Sequence, residues 1–574
     1  MINKKWLIKE PDKAAQDILT RELNISLAAS QVLINRGIRE VEAAQRFLSP
    51  SLSHLHSPLM MKDMEKAVER IIKGISANEK ITIYGDYDVD GITALSILKI
   101  FLHEVNADVS FYIPDRLSEG YGLNHEAVKK IKDLGTGLMI SVDCGISDIQ
   151  EVGLAQKNGI DVIITDHHEV PDESPPAFAI LNPKQKGCCF PFKSLAGVGV
   201  VFNLIIALRA SLRDQGFWKH DKIPNLGEYL DLVALGTIAD IVPLRDENRI
   251  FVKFGLEQLT NSSRPGVIAL KEVSGLEDST INPGMVGFRL APRINAGGRV
   301  GKADHGVRLL TTKDLGEAKK MAAFLDGANK ERQQIEEHMV IEAKKAVQGN
   351  EDMLNSRSIV LASPDWHPGV IGIAASRLVD AYYRPAVMIA LQGGIGKGSG
   401  RSIEGFDLYK GLRESAYLLD GFGGHMYAAG ITIEENKIPE FQAVFEKIVK
   451  ESLSDEDLIP KIHIDARIPL KGLTMELLRD LDILSPFGPS NPEPVFCSSI
   501  LSVAHSGIVG NGHLKLKVKE NGAIYDAIGF NMGEKVVSAK ERIRAAFVPQ
   551  INNWQGRRTI QLKLKDVQVM PNKS

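Results

Sequence analysis

At 574 residues the chain exceeds what one compact core accommodates, so two to four domains are expected. Hydrophobic residues make up 44% and charged residues 25%, the balance of a folded soluble protein, and no apolar run approaches the ~20 residues that cross a bilayer. The formal net charge of −3 singles out no anionic partner, yet Leu501 to Ser574 hold 12 Lys and Arg against 5 Asp and Glu, leaving −10 on the preceding 500 residues; separate catalytic and strand-holding modules would divide charge in this way.

The N-terminus (MINKKWLIKEPDKAAQ) turns polar too early for a secretory signal. Cys188 and Cys189 are adjacent while Cys144 and Cys497 stand alone, so neither a disulfide framework nor a CxxC zinc pair is present. A cytoplasmic protein is expected. Leu27 to Ile75 reads as helices broken by a turn around Pro50 and Pro58. Apolar runs then alternate with amphipathic stretches: ITIY (81–84), VSFYI (109–113), LMISV (138–142) and VIIT (162–165), separated by helical patterns at 92–105, 125–134 and 146–159. Short β-branched runs between helices predict an α/β fold with a parallel sheet covered on both faces.

From Thr312 to Gln348 the pattern is helical, charged and free of proline, a helix of about 55 Å at ~1.5 Å per residue that suits a link between domains. A second α/β segment follows, with SIVLA (358–362), AVMIAL (386–391) and a glycine cluster. Beyond Pro460, HLKLKVKE and TIQLKLKDVQV alternate with period two and predict a small β-barrel. The expected division is a helical extension (1–75), a catalytic domain (76–311), a connecting helix (312–350), a second α/β domain (351–455) and the barrel (460–574).

Three of the four early strands end in acids or histidines: Asp86, Asp88 and Asp90 after the first, Asp143 after the third, and Asp166, His167 and His168 after the fourth. Ligands collect at the carboxyl ends of parallel strands, so the three ends converge on one crevice. Carboxylates this close repel one another and resist burial unless cations neutralise them. Oxygen donors with one or two imidazoles suit manganese or magnesium better than zinc. The carboxylates suffice for two ions about 3.5–4 Å apart, the arrangement that hydrolyses phosphoesters. A calcium loop is excluded: position twelve counted from Asp86 is Ile97, where that loop needs glutamate. Asp240, alone in the apolar run LVALGTIADIVPL (232–244), is read as the fifth carboxylate.

DVDG, VDCG, DHH and ALGTIADIVPL, in this order, resemble the DHH phosphoesterase superfamily and, within it, the RecJ-like exonucleases. The likeness continues through RINAGGR (293–299), WHPGVIGIAASRL (366–378), GKGSGRS (396–402) and GFGGHMYAAG (421–430). It implies that Asp88, Asp90, Asp143, His167 and Asp240 hold two Mn²⁺ or Mg²⁺ ions, Asp143 bridging them. Asp86 would ligate or orient, and His168 would stand near the scissile phosphate as a ligand or just outside the ligand set. Related phosphatases carry a histidine where this chain has Tyr84, leaving one coordination position to water or Asp86.

The second α/β segment resembles the DHHA1 domain. GGIGKGSGR fits no dinucleotide fingerprint; its glycines would let the backbone approach phosphate, with Ser399 and Arg401 bonding it. Gly423, Gly424 and His425 would face the scissile phosphate opposite the metals, and Arg116, Arg289, Arg293 and Arg299 are candidate phosphate clamps. The tail resembles an oligonucleotide-binding (OB) fold whose base-stacking aromatics are sparse (Phe530, Trp554).

The resemblance implies 5′→3′ hydrolysis of single-stranded DNA to 5′-mononucleotides, in recombination and mismatch repair, by a monomer working with single-strand-binding protein and a helicase, away from membranes. Two other readings are a phosphodiesterase for short oligonucleotides or cyclic dinucleotides, against which the basic tail and N-terminal extension argue, and a non-catalytic replication scaffold, against which the intact acid set argues.

Overall fold

A computed structural model describes residues 4–116, 118–218, 223–300, 303–538, 541–554 and 557–571, and the Trp554 side chain lies outside what is described. The chain forms two compact units, one from residues 52–454 and one from residues 1–51 together with 455–574. The first 75 residues therefore do not stand as one extension. Helix Met64–Ser76 places Met64, Ala67, Val68 and Ile71 on one face, the i, i+3, i+4, i+7 spacing of a single stripe, and buries them in the core of the larger unit. The helices Lys13–Leu23, Leu27–Asn35 and Val41–Leu48 bury Leu19, Ala29, Val32, Leu33 and Phe47 against Leu477, Leu481 and Leu484 in the other.

In the larger unit five parallel strands, β1 (Ile81–Gly85), β2 (Val109–Tyr112), β3 (Leu138–Val142), β4 (Asp161–Thr165) and β5 (Ala179–Leu181), pair in the order β2-β1-β3-β4-β5. Every residue of β1 and β3 is buried, as continuous apolar runs require when helices cover both faces. The order reverses between β1 and β3, which opens a crevice at the carboxyl ends of these two strands. Three buried helices surround it: α1 (Val89–Glu104), α2 (Gly197–Asp214) and α3 (Leu230–Ala239).

Helix α4 (Leu315–Gln348) is one uninterrupted span of 34 residues. It starts three residues later than the sequence pattern suggested, because Asp314 caps it by accepting from Glu317 N at 2.6 Å. Ala318, Ala322 and Leu325 join the core around the parallel sheet, while Met339, Ala343 and Val347 join the core of the second sheet. One stripe on one helix thus serves both cores.

That second sheet contains β6 (Ile359–Ser363), β7 (Ala386–Gln392), β8 (Ile395–Arg401), β9 (Gly421–Gly424) and β10 (Ala428–Glu434), in the order β9-β10-β8-β7-β6. Gly393 and Gly394, at φ of +60° and +81°, make the two-residue turn joining β7 to β8. In the smaller unit, strands Leu501–Val509, His513–Glu520, Ala523–Gly529, Arg557–Val569 and Arg542–Trp554 close into a five-stranded ring. Leu514, Leu516 and Val518 fill it while Lys515, Lys517 and Lys519 face outward, so the alternation expected of a barrel is realised.

Candidate metal centre

The chain leaves β1 through Asp86 and Tyr87, and Asp88 then caps α1, its Oδ1 accepting from Asp90 N at 2.9 Å and Gly91 N at 3.1 Å. Gly91 permits so tight a turn: a Cβ there would stand 2.7 Å from the Asp86 carbonyl oxygen. Asp90, in the first turn of α1, accepts from the first two amides of α2, Gly197 N at 2.6 Å and Val198 N at 2.9 Å. Asp143 follows β3 in the left-handed region, at φ +62°, a conformation uncommon outside glycine that aspartate tolerates better than most residues. Asp240 closes the C-terminus of α3.

These residues converge. His167 Nε2 lies 3.2 Å from Asp143 Oδ1, 3.6 Å from Asp240 Oδ2 and 4.0 Å from Asp90 Oδ2. Donor atoms group within 4.8 Å of one another in three sets: Asp86, Asp88 and Asp143; Asp90, His167 and Asp240; and Asp143, His167 and His168. Asp143 belongs to two of them. Asp86 Oδ1, Asp143 Oδ1, His167 Nε2 and Asp240 Oδ2 are buried with no hydrogen-bond partner, and such orphans are rare in proteins.

The electrostatics agree. Burial, then the charge of Asp88, pushes the Asp86 carboxyl well above its ordinary range. Burial followed by Asp90 and Asp88 does the same to Asp143 and Asp240. Asp90 is raised to about 7 by burial and Asp88. Burial and the neighbouring His168 lower His167 to about 3, keeping its imidazole neutral and able to ligate. Four acids that resist ionisation, and a neutral imidazole with its nitrogen aimed among them, fit divalent cations, which would remove the repulsion and satisfy the orphaned atoms together.

Tyr84 does not take the place of the histidine found in related phosphatases. It is fully buried, donates its hydroxyl to Gly122 O at 2.8 Å and stacks on Tyr112. Asp86, by contrast, stands with Asp88 and Asp143.

Asp166, for which the strand-end pattern specified no separate role, accepts from Ile146 N, His167 N and His168 N at 2.7–3.1 Å and pairs with His168 Nδ1 at 2.7 Å. Burial is the largest influence and opposes its charge, but the bond to His168, the charges of His168 and His167 and the backbone bond from His168 together hold its carboxyl below the ordinary range. His168 is raised in turn: burial, the largest influence, lowers it, but the Asp166 bond and the charges of Asp166, Asp86 and Asp88 together overcome that penalty. Tyr121 completes the frame, donating to Asp143 O at 3.2 Å and meeting His168 Nδ1 at 3.3 Å. It sits in a loop without periodicity, so no sequence signal pointed to it.

Beside the cluster runs a groove of about 1230 Å³ lined by Arg116, Arg299, Ser399, Arg401, Gly423, Gly424 and His425, and by His168. The His168 and His425 rings face each other with centroids 6.5 Å apart and planes 13° from parallel. Arg299 donates to Gly369 O at 2.9 Å and Arg401 to Ser399 Oγ at 3.0 Å. Burial and three neighbouring arginines (Arg116, Arg332, Arg401) lower Arg299 to about 9; burial and Arg116 lower Arg401. Crowded cations of this kind await an anion. Arg116 stacks over the Tyr87 ring at 5.0 Å.

Two expectations change. Arg289 and Arg293 do not line the groove: Arg289 donates to Ser274 O, and Arg293 bonds Asp326 Oδ1 at 2.9 Å and Val273 O at 3.2 Å. The glycines of GKGSGR are spaced for packing, since a Cβ at Gly396, Gly398 or Gly400 would meet Ile389, Ile431 or Leu408 at 2.6, 2.5 and 3.0 Å. The alternate residues Lys397, Ser399 and Arg401 turn to the groove, as the period of a strand dictates.

Known proteins share this arrangement. Family models match as the DHH family N-terminal domain at residues 80–237, the DHHA1 domain at 355–451 and the RecJ OB domain at 464–566. The single-stranded-DNA-specific exonuclease RecJ of Bacillus subtilis is 41% identical over 571 residues, covering 98% of this chain and 71% of the relative. Its namesake in Escherichia coli is 36% identical over 549 residues, covering 93% and 94%. The crystal structure of RecJ in complex with Mn²⁺ from Thermus thermophilus superposes with a TM-score of 0.85 at 30% identity, covering 99% of this chain and 80% of that one. With acids and imidazoles at three strand ends, a DHHA1 sheet beside them and a closed barrel, the chain belongs to the RecJ family of DHH phosphoesterases.

Proposed function

We propose that this chain is a metal-dependent exonuclease that degrades single-stranded DNA 5′→3′ to 5′-mononucleotides. The observation that carries this reading is the cluster of five carboxylates and two imidazoles with four buried donor atoms left unpartnered. The name shared by the relatives and the Mn²⁺ complex of the Thermus homologue support it. Asp86, Asp88, Asp90, Asp143, His167 and Asp240 would hold two Mn²⁺ or Mg²⁺ ions. Bound there, such ions supply Lewis-acid stabilisation of phosphate charge and lower the pKa of water.

The protein's own groups do the rest. His168, oriented by Asp166, and His425 flank the scissile phosphate and donate hydrogen bonds to its oxygens. Arg116, Arg299, Ser399 and Arg401 hold the terminal 5′ phosphate, which fixes polarity. Water adds to phosphorus in line with the 3′ oxygen, which leaves on the released mononucleotide, while the attacked phosphate stays on the strand as its new 5′ end. The barrel, in which lysines alternate with buried residues, adds sequence-independent backbone contacts.

The same reading assigns catalysis to residues 76–311, substrate grip to 351–455 and strand binding to 460–574, with 312–350 connecting them. It makes the chain a cytoplasmic monomer of recombinational and mismatch repair, acting with single-strand-binding protein and a helicase. No helix among the described residues is long and apolar enough to cross a membrane. The test is hydrolysis of 5′- and 3′-labelled single strands, duplexes and dinucleotides with Mn²⁺ or Mg²⁺, comparing wild type with Asp143→Ala. Mononucleotides released from the 5′ end of single strands by wild type alone are expected; absence of metal-dependent loss of single strands overturns the reading.

A further inference from the structure

Lys184 is a cation near the metal centre that none of these roles employs. It follows β5, and its backbone is tied to the DHH tripeptide: Lys184 N donates to Asn182 Oδ1 at 2.9 Å, and Asn182 Nδ2, fully buried, donates to His168 O at 2.9 Å. The side chain is anchored less firmly. Its ammonium donates to Glu169 Oε1 at 2.8 Å, and that carboxylate is 71% exposed at the rim of the groove, against 28% for the lysine. An ion pair with so exposed a partner is weak and exchangeable.

Asn182 fixes the Cα and Glu169 only loosely holds the tip. His425 lines the same groove as Glu169, and after burial and His168 the Lys184 charge lowers its proton affinity. Glu169 opposes it at His425. The Lys184–Glu169 pair therefore sits at the rim of the groove that His168 and His425 line. A DNA phosphate entering that gap carries a full charge and presents two oxygens, and it would compete with Glu169 for the ammonium.

We propose that Lys184 is a substrate-binding residue of this site, held by Glu169 in the free protein and passed to a backbone phosphate of the bound strand. The proposal rests on the nuclease reading. It makes Glu169 an internal competitor of the substrate, so removing either partner has opposite effects.

The test measures kcat and KM for a 5′-phosphorylated oligothymidylate with Mn²⁺, and its metal-free Kd by fluorescence anisotropy across a salt series. Glu169→Gln is expected to lower KM roughly two- to fivefold. Lys184→Met is expected to raise KM and Kd about tenfold and to flatten the slope of log Kd against log salt by about 0.7, the loss of one phosphate contact on a single strand. Lys184→Arg should retain most of the affinity. In the Lys184→Met background, Glu169→Gln should change nothing. An unaltered salt slope and KM in Lys184→Met overturns the proposal, as does a Glu169→Gln effect that persists without the lysine. So does a loss in Lys184→Met that tracks a lowered melting temperature and is not rescued by arginine. Wild type that degrades no single strands with metal refutes the nuclease reading itself, a result distinct from an active wild type whose lysine variant is unchanged.

Discussion

Gly197→Ala tests the geometry of the metal centre without touching a ligand. A Cβ at Gly197 would stand 2.5 Å from Asp143 Oδ1, 2.8 Å from its Cγ and 2.9 Å from its Cβ. Ordinary contact begins at 3.4 Å, so something must move by about 0.9 Å. Asp143 has little room to retreat, with a left-handed backbone, its N–H bonded to Thr165 O at 2.8 Å and its carbonyl accepting from Tyr121. If the carboxylate rotates, its unpartnered oxygen leaves the cluster. If α2 withdraws, the 2.6 Å bond from Gly197 N to Asp90 Oδ2 breaks instead. Either response spoils a ligand, and a displacement near 1 Å at such a site costs about 10²-fold in rate. Global stability should fall by no more than about 0–2 kcal/mol, because alanine regains up to about 1 kcal/mol of helix propensity against about 1–3 kcal/mol of overpacking. Calorimetric titration with Mn²⁺ and steady-state hydrolysis, with melting as a control, read the outcome. Wild-type Mn²⁺ affinity and turnover in the alanine variant would refute the packing of Asp143 against α2 as the determinant of ligand placement.

Asp166→Asn should lower kcat roughly 10- to 100-fold with a smaller change in KM, because it leaves His168 in place but removes the carboxylate that orients and charges it; an unchanged pH–rate profile would count against that role. In metal-free protein Asp90 titrates at about 7, above its unfolded value, so its contribution to stability is complete at low pH and is lost as pH rises through about 7. Melting of chelator-treated protein should accordingly fall between about pH 4 and 7, less steeply in Asp90→Asn, and Mn²⁺ should restore it; a metal-free melting temperature that rises across this window in wild type and not in the variant contradicts the assignment. Deleting residues 461–574 alone should give aggregation-prone protein, since Ala29, Val32 and Leu33 lose the core they share with Leu477 and Leu481. Residues 52–454 alone should instead remain soluble and keep metal-dependent hydrolysis with weaker DNA affinity, as size-exclusion chromatography and hydrolysis assays would read.

What could be read from the sequence was whatever local pattern determines. Short continuous apolar runs located the parallel strands, a helical pattern the long helix and period-two alternation the barrel, and a parallel sheet forces Asp86, Asp143 and His167 to one end because strand ends converge there. Interactions between distant segments were opaque. Nothing near Asp166 in the chain announces that Ile146 N would bond it, and nothing in Arg293 distinguishes a guanidinium that meets Asp326 from one that meets phosphate. The glycines of GKGSGR were visible and were read as room for phosphate, whereas their packing against Ile389, Ile431 and Leu408 is set only by the tertiary fold.

The smaller unit is assembled from both ends of the chain, and the strand Lys5–Ile8 pairs in parallel with Lys461–Ile464. On the ribosome this imposes a schedule. Residues 52–454 can collapse as they emerge, whereas the helices made first must wait through roughly 400 residues of synthesis, tens of seconds at about 5–20 residues per second. Throughout that interval Leu19, Val32 and Leu33 lack the part of their core that Leu477, Leu481 and Leu484 supply. The enzymatic unit is in effect an insertion within a discontinuous domain, and its nascent N-terminal helices are the segment most in need of a chaperone.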